Sequence, residues 1–364
     1  MSKKWILLNP GPVTLTESVR AALTRDDWCH RETEFASLTQ SINERIAGVY
    51  EESSANYASV LLTGSGTLAV ESMLTTFAPR DSKTLVVTNG VYGERMEAML
   101  RAKGRPVVTV NSAWEAPMDL ESVEAVLRAD QEVSHVLAVH HETTTARLND
   151  LDGLGKLCRD YDRALLLDAV SSFGAERISF DDWNLAALAA TANKCIHGVP
   201  GLSFVLARRD LYAEPDPTCG SVYLDANRYF RTQHGDGYSP FTLSVQVAFA
   251  LDTALDELAA GGGWKARGAR YAAVGKRVRD ELARLGIEPF IPADDFSAVM
   301  ASYRLPEGIA YEQMHDDLKA RGFIVYAGQG HFSSSMFRIA HMGAIADADV
   351  DRLLAALREF FADN

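Results

Sequence analysis

The chain has 364 residues, 47% of them hydrophobic and 23% charged, with a formal net charge of −13. This composition excludes a disordered or fibrous chain, and a chain of this length buries a core that needs no disulfide staples. The acidic balance argues against a nucleic-acid or anionic-membrane binder, while leaving small anionic substrates open, because one pocket on an acidic protein can still be positive.

In chain order, "MSKKWILLNPGP" offers only a four-residue apolar run, too short for a signal peptide, and no stretch approaches membrane-spanning length. Cys29, Cys158, Cys195 and Cys219 have no C-x-x-C or zinc-finger spacing. They read as reduced thiols in a cytoplasmic protein with no metal site.

After the turn at Pro10–Pro12, "LTGSGTLAVES" (62–72) puts Ser65, Gly66 and Thr67 at the start of a predicted helix over 66–78. Small residues at a helix N-terminus suit an anion, and a glycine-rich helix cap is the plainer alternative. Strands are expected at 84–90, 106–110, 134–141, 164–170 and 201–208, each short and rich in valine or leucine. Continuous apolar strands separated by helical patterns, such as 120–130, predict a mostly parallel sheet in an α/β fold.

The strand ends carry the chemistry-bearing residues. Tyr92 follows the strand at 84–90, and Glu142 with Thr143, Thr144 and Thr145 follows that at 134–141. Asp168 closes "ALLLDAV", where open α/β sheets place ligands; it reads as a partner for a protonated ring nitrogen or as an N-cap for the segment after it. Lys194 lies among small residues in "TANKCIHGVPG", where partial desolvation would lower its pKa and make it a nucleophile; His197 reads as a group supporting the site from behind or, preferably, as a turn residue. The glycines in "AAGGGWKARG" (259–268) mark a linker or a helix kink. Beyond them come a helix at 269–286, extended stretches at 298–305 and 323–328, and a closing helix at 347–362. This predicts a large domain over 15–258 and a small α+β domain over 259–364 joined by 1–14. Arg338, between Phe337 and Ile339, needs an acidic partner: a substrate anion or a structural carboxylate.

Taken together, "LLNPGPVTLT", "GSGTLAVES", "NGVYGERM", "HETTTARLN", "DAVSSFG", "ANKCIHGVPG" and "FRIAHMG" resemble the class V pyridoxal-phosphate aminotransferases of fold type I. The similarity spans almost the whole chain. "HETTT", "DAVSSFG" and "ANKCIHGVPG" are more similar to the 2-aminoethylphosphonate–pyruvate transaminases than to the alanine–glyoxylate branch. "CHRETEF" (29–35) is more similar to the latter, and "FTLSVQ" lacks a proline common after its threonine. The resemblance implies a large domain with a mostly parallel seven-stranded sheet. It implies pyridoxal 5′-phosphate as cofactor, with Lys194 holding it covalently and Asp168 at its ring nitrogen. Val170 and Tyr92 would lie on the two ring faces and Thr145 near the ring hydroxyl. Ser65, Gly66 and Thr67 would cup the phosphate, together with Thr242 from a neighbouring subunit of a homodimer with shared active sites. Substrates would meet Arg338, Pro10 and Gly11, with Arg31 or Arg95 as a second cation. The implied partners are an amino donor and a 2-oxo acid acceptor.

Overall fold

The computed structural model describes residues 5–53, 55–215 and 219–363. The first four residues of the expected 1–14 segment and the chain's last residue therefore lie outside the described residues.

The central sheet has seven strands, here β1 (Tyr57–Gly64), β2 (Lys83–Thr88), β3 (Val107–Asn111), β4 (Val133–Val139), β5 (Ala164–Asp168), β6 (Leu185–Thr191) and β7 (Gly201–Arg208). Their order across the sheet is β1-β7-β6-β5-β4-β2-β3. Neighbours from β6 to β3 pair in parallel, and only β7 runs against its neighbours β1 and β6. Six strands therefore point their C-terminal ends at one edge, where ligands bind in open α/β sheets. Leu165, Leu166 and Leu167 are wholly buried because helices cover both faces of the sheet.

β1 and β6 are additions to the strands expected from sequence. β6 reads "LAALAAT", and alanine favours helices in isolation. Here Ala186, Ala187 and Ala189 share a core with Val70, Met73 and Leu74 of the helix Gly66–Phe77. Short side chains let that helix lie close to the sheet, so packing overrides local preference.

A second core gathers the helix Gly263–Arg284, the closing helix Asp347–Asp363 and a three-stranded antiparallel sheet. Those strands are β8 (Met300–Arg304), β9 (Tyr326–Ala327) and β10 (Met336–Ala340), with β10 central. The expected single stretch at 323–328 is in fact two: Phe323–Ile324 pairs in parallel with Ile6–Leu7, and β9 joins the other sheet. The glycine cluster is a tight turn between two helices, with Gly262 at φ 89° and Gly263 at φ 72°, so the expected helix at 269–286 begins at Gly263. Left-handed φ values favour glycine there. Ile6, Leu8 and Val13 pack into this second core, which carries the Asn9–Pro12 loop across to the sheet edge. Among the described residues, no helix is long and apolar enough to cross a membrane.

Candidate active site

Asp168 ends β5 and is only 6% exposed. Its Oδ1 accepts the backbone N–H of Val170 at 2.9 Å, and its other oxygen has no protein partner among the described residues. Burial pushes its pKa up to about 6, against opposing effects from that hydrogen bond and from the charges of Lys194 and Arg95. A carboxyl group left half-satisfied in a dry site lacks a cation or a donor.

Lys194 follows β6 on the next strand. Its Nζ donates to the carbonyl of Pro10. A Cβ on Gly11, whose φ is 109°, would lie 2.7 Å from the lysine Cδ, so only glycine lets the loop approach this closely. Burial lowers the lysine pKa to about 8.

At the end of β1, Ser65 caps the helix Gly66–Phe77 with no side-chain cap hydrogen bond, leaving its hydroxyl free for a ligand. A Cβ on Gly66 would lie 2.8 Å from Val170, so the helix start sits against the residue just past Asp168. Thr67, Tyr92, Arg95, Asp168 and Val170 line one crevice. The Arg95 guanidinium lies 4.8 Å from the Tyr92 ring centroid, and its Nη1 reaches Thr67 Oγ1 at 3.5 Å.

Glu142 is fully buried and was left without a role by the sequence. Its Oε1 accepts the N–H and hydroxyl of Thr144 at 3.0 and 2.6 Å, and its Oε2 accepts the Tyr92 N–H at 3.2 Å. Thr144 Oγ1 in turn accepts the Val91 N–H at 3.1 Å. The segment after β4 thus caps the helix Val91–Ala102, whose own N-cap, Gly90, offers no side chain. A Cβ on Gly90 would collide with Glu142 at 2.3 Å, which explains the glycine. Burial lifts the Glu142 pKa to about 7. The hydroxyls of Thr143 and Thr145 are buried with no partner among the described residues.

Arg338, on β10, is 5% exposed. Its Nε donates to the Ala327 carbonyl at 2.9 Å and its Nη1 to the Thr143 carbonyl at 2.7 Å. Burial is the main influence on this guanidinium and lowers its pKa; Tyr92, Tyr311, Glu142 and Tyr326 act in the opposite direction. The salt bridges among the described residues include none to Arg338, so the structural carboxylate left open by the sequence is not found. A buried cation held only by neutral carbonyls is suited to an incoming anion.

Thr242 is exposed on its own chain, its hydroxyl 3.3 Å from Nε2 of His30. His197 is more than a turn residue: held at φ 67°, its Nε2 accepts the Gly343 N–H at 3.0 Å and meets the Tyr271 hydroxyl. It ties the lysine turn to the segment after Arg338.

An amine of lowered pKa, a buried acid, and a helix N-terminus with a free hydroxyl thus converge on one sheet edge. Residues 16–344 match the family model described as aminotransferase class-V.

The chain belongs to the class-V aminotransferases. It is 33% identical over 355 residues to a 2-aminoethylphosphonate–pyruvate transaminase of Bacillus cereus, covering 97% of both chains. It is also 33% identical over 359 residues to a bifunctional phosphonoacetaldehyde hydrolase/aminoethylphosphonate transaminase of Clostridioides difficile, covering 98% of this chain and 56% of that protein. The fold superposes on the alanine–glyoxylate aminotransferase of Nostoc sp. with TM-score 0.90 and 23% identity, over 99% and 96% of the two chains.

As an aminotransferase of this class, the enzyme uses pyridoxal 5′-phosphate. The residues present fit that group: a nucleophilic amine for its aldehyde, a half-satisfied acid for its ring nitrogen, and a helix start with free donors for its phosphate. The lysine pKa sets an expectation for loading. Only the neutral amine captures an aldehyde, so the rate of capture by cofactor-free protein should rise with pH to a midpoint near 8 and level off above it. A stopped-flow absorbance series across pH checks this; a rise continuing to the ordinary lysine value of 10.5 would contradict the buried setting of Lys194.

Proposed function

We propose that this aminotransferase moves the amino group of 2-aminoethylphosphonate to pyruvate, releasing phosphonoacetaldehyde and L-alanine in a ping-pong sequence. The observation that carries the reading is Arg338, a buried guanidinium with no carboxylate partner, in a chain similar over its full length to transaminases of that name. Pyridoxal phosphate supplies an aldehyde that takes up the amino group between half-reactions and a ring that spreads the charge developing on the donor carbon.

The chain's own groups do the rest. Asp168 keeps the ring nitrogen protonated, which a carboxylate achieves best in a dry site. Lys194 would hold the cofactor, would give way to the donor amine, and in each half-reaction would act first as general base and then as general acid, carrying a proton from the donor carbon to the cofactor in the first and from the cofactor to the carbon that becomes the alanine α-carbon in the second. Pro10 and Gly11 wall the lysine and meet the substrate. Val170 and Tyr92 would hold the ring from its two sides, Ser65, Gly66 and Thr67 would hold the phosphate, and Thr145 would serve the ring hydroxyl. Arg338 grips the phosphonate of the donor and then the carboxylate of pyruvate, since a guanidinium fork suits both.

This reading carries an architecture. The catalytic domain runs over 15–258, and a small domain over 259–364 is completed by 1–14. Two chains form a homodimer in which Thr242, exposed on its own chain, reaches the partner's phosphate. The enzyme works in the cytoplasm.

The test compares donors. The purified enzyme should convert 2-aminoethylphosphonate with a kcat/KM at least about a hundredfold above that for serine, a preference of about 3 kcal/mol. Arg338→Met should raise KM for 2-aminoethylphosphonate and for pyruvate together, because the guanidinium serves both anions. Better use of serine than of 2-aminoethylphosphonate by the wild type would place the enzyme with the ordinary amino-acid transaminases.

A further inference from the structure

Arg338 cannot by itself account for a phosphonate. Its Nε and one N–H of Nη1 are engaged by Ala327 and Thr143. Three N–H groups remain on Nη1 and Nη2, one of them parallel to the engaged Nε–H, so the free end presents at most a pair of donors matched to two oxygens, as a carboxylate presents them. A phosphonate has three oxygens and can carry more charge. On the phosphonate reading of the site, one oxygen lacks a donor.

The sheet register points to a residue that can supply one. Arg338 pairs with Ser302 of β8 on one side and with Tyr326 of β9 on the other. Directly opposed residues share a face. The Ser302 hydroxyl donates to the Thr145 carbonyl at 2.6 Å, so this face looks onto the segment after β4 that borders the site. The row runs from buried Ser302 through buried Arg338 to Tyr326, which is 42% exposed. The opposite face is core, with Tyr303 and Phe337 stacked at 5.5 Å.

Three phenols act on the charge of Arg338, Tyr92, Tyr311 and Tyr326; Tyr92 belongs to the crevice with Asp168 and Val170, where the proposed function sets it against the cofactor ring. Tyr311 is occupied: its hydroxyl donates to the Val325 carbonyl at 2.9 Å. The Tyr326 hydroxyl has no hydrogen bond to protein among the described residues. Of the two arginines considered as a second cation, Arg31 donates to the Ser239 carbonyl at 3.0 Å, and Arg95 lies in the crevice with Asp168, where it reaches Thr67 at the helix start.

We propose that Tyr326 is a specificity-determining residue, its phenol donating a hydrogen bond to the phosphonate oxygen that Arg338 leaves unserved. This rests on the phosphonate reading of the site. Tyr326 contributes when the bound anion is tetrahedral and has a third oxygen, and adds little for the flat carboxylate of pyruvate.

The test uses Tyr326→Phe, which keeps the ring and removes the hydroxyl, in the cofactor-loaded enzyme. Two inert probes, ethylphosphonate and propionate, are titrated by calorimetry. A lost hydrogen bond to a charged group predicts ethylphosphonate binding weakened about ten- to a hundredfold, with propionate changed by less than about twofold. In turnover, KM for 2-aminoethylphosphonate should rise with kcat nearly unchanged, while KM for pyruvate stays put. Ethylphosphonate binding that is the same in variant and wild type, or an equal loss for both probes, overturns the proposal while leaving the phosphonate function intact. A wild-type enzyme that neither binds ethylphosphonate nor turns over 2-aminoethylphosphonate overturns the function itself, and this proposal with it.

Discussion

Lys194→Ala is expected to lower transamination by about 10⁴-fold or more, the upper range for losing a positioned acid–base group with its covalent role added. Three features of this residue set the size of the loss. Its surroundings hold it near pKa 8, so free amine is available at neutral pH. The Pro10 carbonyl accepts a hydrogen bond from its Nζ and so orients it. Close packing by Gly11 fixes the side-chain stem. Lys194 is the lysine whose charge acts on Asp168, and among the described residues no lysine lines the crevice beside Asp168, Tyr92 and Val170 that could replace it. Steady-state rates check the loss. Reduction of the loaded protein with borohydride followed by mass measurement supplies a second readout: the wild type should retain the cofactor's mass and the variant should not. A variant still active within about a hundredfold of wild type would remove Lys194 from its assigned role.

Asp168→Asn separates function from stability. The asparagine oxygen can still accept the Val170 N–H, which turns the amide nitrogen toward the group Asp168 would otherwise hold. A donor facing a protonated ring nitrogen is a mismatch, and breaking a buried charge pair costs roughly 3–5 kcal/mol, so activity should fall by about 10²- to 10⁴-fold. The cofactor-free protein should respond in the opposite sense. The folded-state pKa of Asp168, about 6, lies above its ordinary 3.8, so ionised Asp168 destabilises the fold. That cost is fully present above pH 6 and disappears as pH falls below 3.8. At roughly 1.4 kcal/mol per pKa unit it amounts to about 3 kcal/mol. Cofactor-free Asp168→Asn should therefore unfold at a higher denaturant concentration than wild type at pH 7, with the gap closing toward pH 4. Lower stability of the variant at pH 7 would mean that Asp168 is already satisfied within the protein.

The parts of this fold legible in the sequence were those where local pattern and tertiary packing agree. The leucine and valine runs of β2, β4 and β5 are buried on both faces and read directly as strands. β6 escaped because its alanines exist to admit a helix, and that helix is distant in sequence. The glycine cluster at 261–263 was visible, but its geometry was not, since a left-handed turn and a flexible linker share a composition.

The site shows the same division. Asp168, Lys194 and the Ser65–Thr67 helix start follow from strand-end positions and residue chemistry. Glu142 did not, because its role is to cap a helix in another segment, and only tertiary structure brings its three donors together. His197 had the same difficulty, as Gly343 and Tyr271 are remote in sequence. For Arg338, the sequence left open a carboxylate partner or a substrate; among the described residues the structure places only the Ala327 and Thr143 carbonyls in hydrogen bonds with it.

The most direct measurement is a half-reaction. Cofactor-loaded enzyme is mixed with 2-aminoethylphosphonate and no acceptor, and the visible absorbance of the bound cofactor is followed. The account predicts that the band disappears and that pyruvate restores it with one equivalent of L-alanine formed. A band that 2-aminoethylphosphonate leaves untouched while alanine or serine removes it would contradict the assignment of the phosphonate as donor.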